Sequence, residues 1–151
     1  MRPVFIGSGP LTEQIVVDAS IVVELLRGGD MAQRLASLLF DGGTVLHAPE
    51  LLDIEVTQVV RRLERDGTIT TDRGASAVRL LQELPIHRHG HAPLLGRLWT
   101  LRHRCSAYDA TYVALTEGVN ATLWTLDARL AKSVEGLIAM HVPTVVQPPA
   151  P

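Results

Sequence analysis

The chain has 151 residues, 46% of them hydrophobic, and a formal net charge of −2. It is long enough to bury one core and too apolar for a disordered polymer, and no apolar run reaches membrane-spanning length. The near-neutral charge excludes a global basic field, so a nucleic-acid partner would have to be met by a local patch. The lone cysteine, Cys105, excludes an internal disulfide and a thiolate metal cluster, and fits a reducing cytoplasm.

Residues 1–14, MRPVFIGSGPLTEQ, read as a tail without the long apolar region of a signal peptide. The GSGP within it is too short for a phosphate loop. IVVD (15–18) reads as a short buried strand, and ASIVVELLR (19–27) as a helix closed by Gly28 and Gly29. MAQRLASLLF (31–40) is a second helix, and TVLHA (44–48) the next strand. A long helix follows, with Pro49 in its first turn and Gly67 at its stop. Thr71–Leu84 reads as another helix, PIHRHG (85–90) as a short strand, and APLLGRLWTLRHR (92–104) as helical. SAYDATYVALTEG (106–118) is a helix capped by Ser106. ATLWTLD (121–127) is a strand ending in Asp127, ARLAKSVEG (128–136) a short helix, and PTVVQ (143–147) a last edge strand. Residues 148–151 form a Pro-rich tail, and 15–147 a single domain. Strands alternating with helices predict an α/β fold with a mainly parallel sheet covered on both faces.

In such folds the chemistry lies beyond the carboxyl ends of the strands, where the strand order reverses. Four acids fall there: Asp18, Glu55, Asp109 and Asp127. Each has a structural reading beside a functional one. Asp18 and Asp127 are placed to cap the helices that follow them, and Asp109 stands three residues after Ser106, as in a capping box. Glu55 is different. On the helical wheel, Glu50, Asp53, Thr57, Arg61 and Glu64 share a polar face, whereas Glu55 lies four residues from both Leu51 and Val59, within the apolar stripe. A buried carboxylate needs compensation, by an arginine, a proton or a metal. Converging carboxylates repel unless a cation lies between them, and an all-oxygen set favours Mg²⁺ or Mn²⁺.

Other groups read as structural. HRHGH (His87, His89, His91) lacks the zinc spacings and reads as a solvated strand end. Arg61, Arg62 and Arg65, and likewise Arg97, Arg102, His103 and Arg104, are solvated surface or a phosphate track. Trp99, Trp124 and Cys105 read as core.

VVDASIVVELL, APELLDIEVTQVVRRL, LRHRCSAYDATYVALTE and TLDARLAKS occur in this order. They resemble the PIN-domain ribonucleases, specifically the VapC toxins of bacterial toxin–antitoxin pairs, from Ile15 to Val146. YDATYVAL followed by TLDARLA is the most specific part. The resemblance implies a three-layer α/β/α sandwich and a Mg²⁺- or Mn²⁺-dependent endoribonuclease. It also implies a homodimer, an RNA substrate and a cognate VapB antitoxin that blocks the site. It places the metal-binding, catalytic residues on Asp18, Glu55, Asp109 and Asp127, with Ser20 and Thr125 supporting them. Val22, Val23, Leu25 and Leu26 exceed what one core face needs, and some would receive an amphipathic antitoxin segment. Gln58 stands where many members carry Asn, and Arg104 where a small polar residue is common. Two rival folds fit poorly: a receiver domain, because Lys132 lies in a helix, and a dehalogenase-type phosphatase, because Ser20 replaces its second aspartate. An inactive PIN-like module that only binds a protein is the alternative from another class.

Overall fold

The computed structural model describes residues 12–143. Five parallel strands form one sheet in the order β3-β2-β1-β4-β5. They are β1 (Glu13–Val17), β2 (Thr44–Pro49), β3 (Ile86–His89), β4 (Thr122–Trp124) and β5 (Met140–His141). β1 begins two residues before the predicted start. Ile15, Val16 and Val17 are fully buried, as a strand covered on both faces requires.

The helices are α1 (Ala19–Arg27), α2 (Asp30–Leu39), α3 (Leu51–Arg65), α4 (Thr71–Glu83), α5 (Leu95–Thr100), α6 (Ala107–Gly118) and α7 (Ala128–Ser133). Helices α1 to α4 bury Ile21, Leu35, Leu52, Val56 and Leu81 against Ile15, Val17, Leu46 and Ile86 on one face of the sheet. Val113, Leu115 and Leu130 from α6 and α7 close over Val16 and Leu123 on the other. The result is a three-layer α/β/α sandwich, as the sequence predicts. Among the described residues no helix is long and apolar enough to cross a membrane.

The local departures have physical causes. Pro49 ends β2 opposite His89 instead of opening α3. At a strand end its missing N–H costs no ladder bond, and the next amide, Glu50 N–H, donates to the His89 carbonyl at 3.0 Å. The predicted strand over 121–127 stops at Trp124, so Asp127 lies past the strand as the cap of α7. The predicted helix over 92–104 divides into a 3₁₀ turn (Ala92–Leu94) and α5. The edge strand is Met140–His141 on β4, whereas Pro143 is not in a strand and Thr144–Gln147 lie outside the described residues, as do residues 1–11 and 148–151.

Order reverses between β1, which leads outward through β2 to β3, and β4, to which the chain returns on β1's other side. The crevice at their carboxyl ends is where this architecture places a site.

Candidate active site

Asp18 follows β1 directly. Its extended backbone makes it the N-cap of α1, with Oδ1 accepting from Ile21 N–H at 3.2 Å. The capping role is therefore real, but it uses a fraction of the carboxylate's capacity. Ser20 Oγ donates to Oδ1 at 2.6 Å, and Thr125 Oγ1 donates to Oδ2 at 2.6 Å. Both hydroxyls also accept from backbone beyond β4: Leu126 N–H donates to Ser20 at 2.8 Å and Asp127 N–H to Thr125 at 2.9 Å. Ser20 and fully buried Thr125 thus clamp the loop after β4 onto the carboxylate after β1.

Asp18 is 4% exposed. Burial pushes its carboxyl above the usual range against the pull of these donors, and the Asp127 charge adds to the rise. Asp127 caps α7, its Oδ1 accepting from Arg129 N–H at 2.8 Å and Leu130 N–H at 3.2 Å. Asp109 is buried in the first turn of α6, where Ser106 Oγ accepts its N–H at 3.1 Å. The capping half of its predicted box is made. Its own carboxylate turns to Arg129.

Glu55 is half-buried on α3, on the apolar side that the wheel predicts. Among the described residues no arginine forms an ion pair with it, the structural reading the sequence leaves open beside a proton or a metal. Instead the Tyr112 hydroxyl, from α6, donates to Glu55 Oε2 at 2.5 Å. Burial raises the Glu55 carboxyl, as do the charges of Asp18 and Asp109, while the Tyr112 bond and Arg129 oppose the rise. Burial and the adjacent Glu55 charge also drive the Tyr112 phenol far above its ordinary value, so it stays a donor. The structure thus brings all four predicted acids into one electrostatic neighbourhood.

Two residues that sequence reasoning missed complete it. Tyr112 stands three positions after Asp109, on the same helical face, a spacing that could have flagged it. Arg129, two residues after Asp127, lays its guanidinium on Asp109, with Nη1 to Oδ2 at 2.9 Å and Nη2 to Oδ1 at 3.2 Å. Nη2 is also 3.6 Å from Asp127 Oδ2. Among the described residues no three acidic, histidine or cysteine side chains converge closely enough to ligate one ion.

Several other readings need correction. Trp99 is not core: it is 69% exposed, with the Arg102 guanidinium 4.8 Å above its ring. Arg97 lies on the surface, one of its two readings, and pairs through Nε and Nη2 with Glu117 at 2.8 Å. The histidines are more than a solvated strand end. His91 Nε2 accepts Leu51 N–H at 3.1 Å, serving the first turn of α3, and His89 bonds His47 at 2.9 Å. Gln58 is exposed and meets Arg61 at 3.4 Å.

A PIN domain family model matches residues 15–135. Ribonuclease VapC3 of Mycobacterium tuberculosis is 38% identical over 122 residues, which cover 80% of this chain and 88% of that protein. The chain belongs to the VapC ribonucleases of the PIN-domain family. Ribonuclease VapC1 of the same organism is 39% identical over 121 residues, spanning 79% of this chain and 90% of that protein. Among solved structures, VapBC2 from Rickettsia felis, bound to a DNA fragment from their promoter, superposes with a TM-score of 0.67 at 12% identity. That match covers 87% of this VapC chain and 99% of the other. At that identity the likeness speaks for the fold.

Proposed function

We propose that this chain is the toxin of a VapBC-type toxin–antitoxin pair and cleaves RNA with a divalent cation, Mg²⁺ or Mn²⁺, held by Asp18, Asp109, Asp127 and Glu55. One observation carries the reading: four carboxylates share one electrostatic neighbourhood beside the topological switch point, with Arg129 between two of them, and burial together with the charge of the other acids raises the carboxyls of Asp18 and Glu55. That arrangement is costly for a protein that asks nothing of it. The donor set fits a hard cation, being all oxygen, and among the described residues no basic side chain pairs with Asp18.

Such a cation would supply Lewis acidity at the scissile phosphate and lower the pKa of a water molecule. The chain's own residues do the rest. Ser20, Thr125 and the Ile21 amide fix both oxygens of Asp18, so a cation would meet a carboxylate already held in place. Tyr112 holds Oε2 of Glu55, so Oε1 is the oxygen able to accept a proton from the attacking water. Its raised pKa brings it nearer to the working pH than an ordinary glutamate. Attack in line then breaks the bond to the 3′ oxygen, and this chemistry does not use the RNA 2′-OH. Single-stranded loops are the favoured substrate, since their bases and backbone are accessible.

The antitoxin would lie in the groove of about 350 Å³ between α1, α3 and α4, lined by Val23, Leu26, Val60, Leu63, Ile69 and Ala77. Of the four apolar residues expected to exceed the core, Val23 and Leu25 are partly exposed and would face the partner, whereas Val22 and Leu26 are buried in the core. An amphipathic helix suits such a groove. The proposed homodimer has exposed Leu95 and Trp99 available, one turn apart on α5.

Purified protein incubated with end-labelled single-stranded RNA tests the reading. Cleavage in Mg²⁺ or Mn²⁺, its loss in chelator and its loss in Asp18→Asn support it. Folded protein that binds a VapB-type peptide yet cleaves no RNA under any of these conditions would instead identify an inactive binding module.

A further inference from the structure

We infer that Arg129 is a resident counter-ion of the acid cluster that a divalent cation must displace, and that it thereby sets the metal concentration at which the site loads. The inference rests on the metal-site reading above.

Its basis is which lone pairs are taken. The Arg129 fork engages both oxygens of Asp109, at 2.9 and 3.2 Å, and its Nη2 faces Asp127 Oδ2 at 3.6 Å. Asp127 Oδ1 is already committed to the two amides it caps. Ser133 Oγ adds a donor to Asp109 Oδ2 at 3.3 Å. A cation seeking Asp109 and the outer oxygen of Asp127 therefore competes directly with the guanidinium. A bidentate guanidinium–carboxylate pair is among the stronger polar contacts, so the competition is substantial.

The need for a resident cation follows from burial. The Asp109 side chain is 7% exposed, and an unpaired carboxylate there would be strongly disfavoured. Arg129 supplies the charge from outside: its own side chain is 67% exposed. It can leave without disturbing the core. The first turn of α7 is held by the Asp127 caps to backbone amides, and its anchor is Leu130, which is 3% exposed. Arg129 is thus an exposed charge on a fixed base, whereas Asp109 is held in the buried first turn of α6.

Isothermal titration of Mn²⁺ into the RNA-free, chelator-stripped protein reads this out without reference to catalysis. Arg129→Ala should tighten Mn²⁺ binding by about tenfold, the scale of removing a unit charge beside a divalent ion in a solvent-screened site. Arg129→Lys, which keeps the charge but loses the fork, should fall between. In chelator the alanine variant should melt below the wild type, and Mn²⁺ should close that gap. Arg129→Gln serves as the second neutral variant if the alanine protein does not fold. A folded neutral variant that binds Mn²⁺ no more tightly than the wild type overturns the inference while leaving the metal site standing. No Mn²⁺ binding by either wild type or variant overturns the metal-site reading, and this inference with it.

Discussion

Replacing Tyr112 with Phe removes one oxygen and leaves the ring. The ring is part of the core that α6 packs on the sheet, and Tyr112 is 2% exposed, so shape is preserved. What is lost is the 2.5 Å bond to Glu55 Oε2. The Ala19 amide at the start of α1 also loses a contact to the hydroxyl. A hydrogen bond to a charged group contributes about 1.5–3 kcal/mol, and Glu55 is only half-buried, so water replaces part of it. The expected cost is about 1.5 kcal/mol, which for a domain of this size lowers Tm by about 3–6 °C. Urea denaturation should show the midpoint falling with an unchanged slope. In a double-mutant cycle with Glu55→Ala, about 1 kcal/mol of coupling should remain between the two positions. RNA cleavage should fall by about tenfold, as it does when a partner that orients a site carboxylate is removed. A Phe variant as stable as the wild type within about 0.5 kcal/mol, with no coupling to Glu55, would refute the idea that the tyrosine holds the glutamate.

Glu55→Gln should abolish RNA cleavage in a folded protein, whereas Glu50→Gln, exposed and just outside the same helix, should change stability and cleavage little; equal losses in both would break the assignment of Glu55 to the site face. The raised carboxyls of Asp18 and Glu55 give the metal-free protein a definite pH dependence. The native state holds protons that the unfolded chain has released, so these two groups make stability fall as pH climbs from the ordinary carboxylate range near about 4 through their raised values, and level off above them. Melting in chelator should therefore show a shallower decline for Asp18→Asn than for the wild type; a steeper one would mean the sign is wrong. Mn²⁺ should reverse the decline, raising Tm more at neutral than at acidic pH, because it replaces those protons.

The layers were legible because they rest on periodicity and on stop signals. Three consecutive β-branched or aliphatic residues before Asp18, and glycines after α1, specify a strand and a helix wherever the chain is placed. Glu55 was legible as an anomaly, a charge in an apolar stripe. Its partner was not, because Tyr112 comes from a helix 57 positions away and such a pairing depends on how α3 and α6 meet. Arg129 was invisible for a related reason: beside a capping aspartate an arginine reads as surface, and only the fold brings Asp109 within its reach. Trp99 went wrong because a six-residue helix makes fewer than two turns, too few for periodicity to say which face meets the core. Pro49 shows the opposite hazard, since a proline before a helix suits the end of a strand as well as the first turn.

Crystals of the RNA-free protein soaked in Mn²⁺, with anomalous scattering recorded at the manganese edge, address the acid cluster itself. The account predicts an anomalous peak among the carboxylates of Asp18, Asp109, Asp127 and Glu55, with the Arg129 guanidinium withdrawn from Asp109. A fully soaked crystal with no peak there, the Asp109–Arg129 pair intact and manganese only at His87, His89 or other surface groups would contradict it.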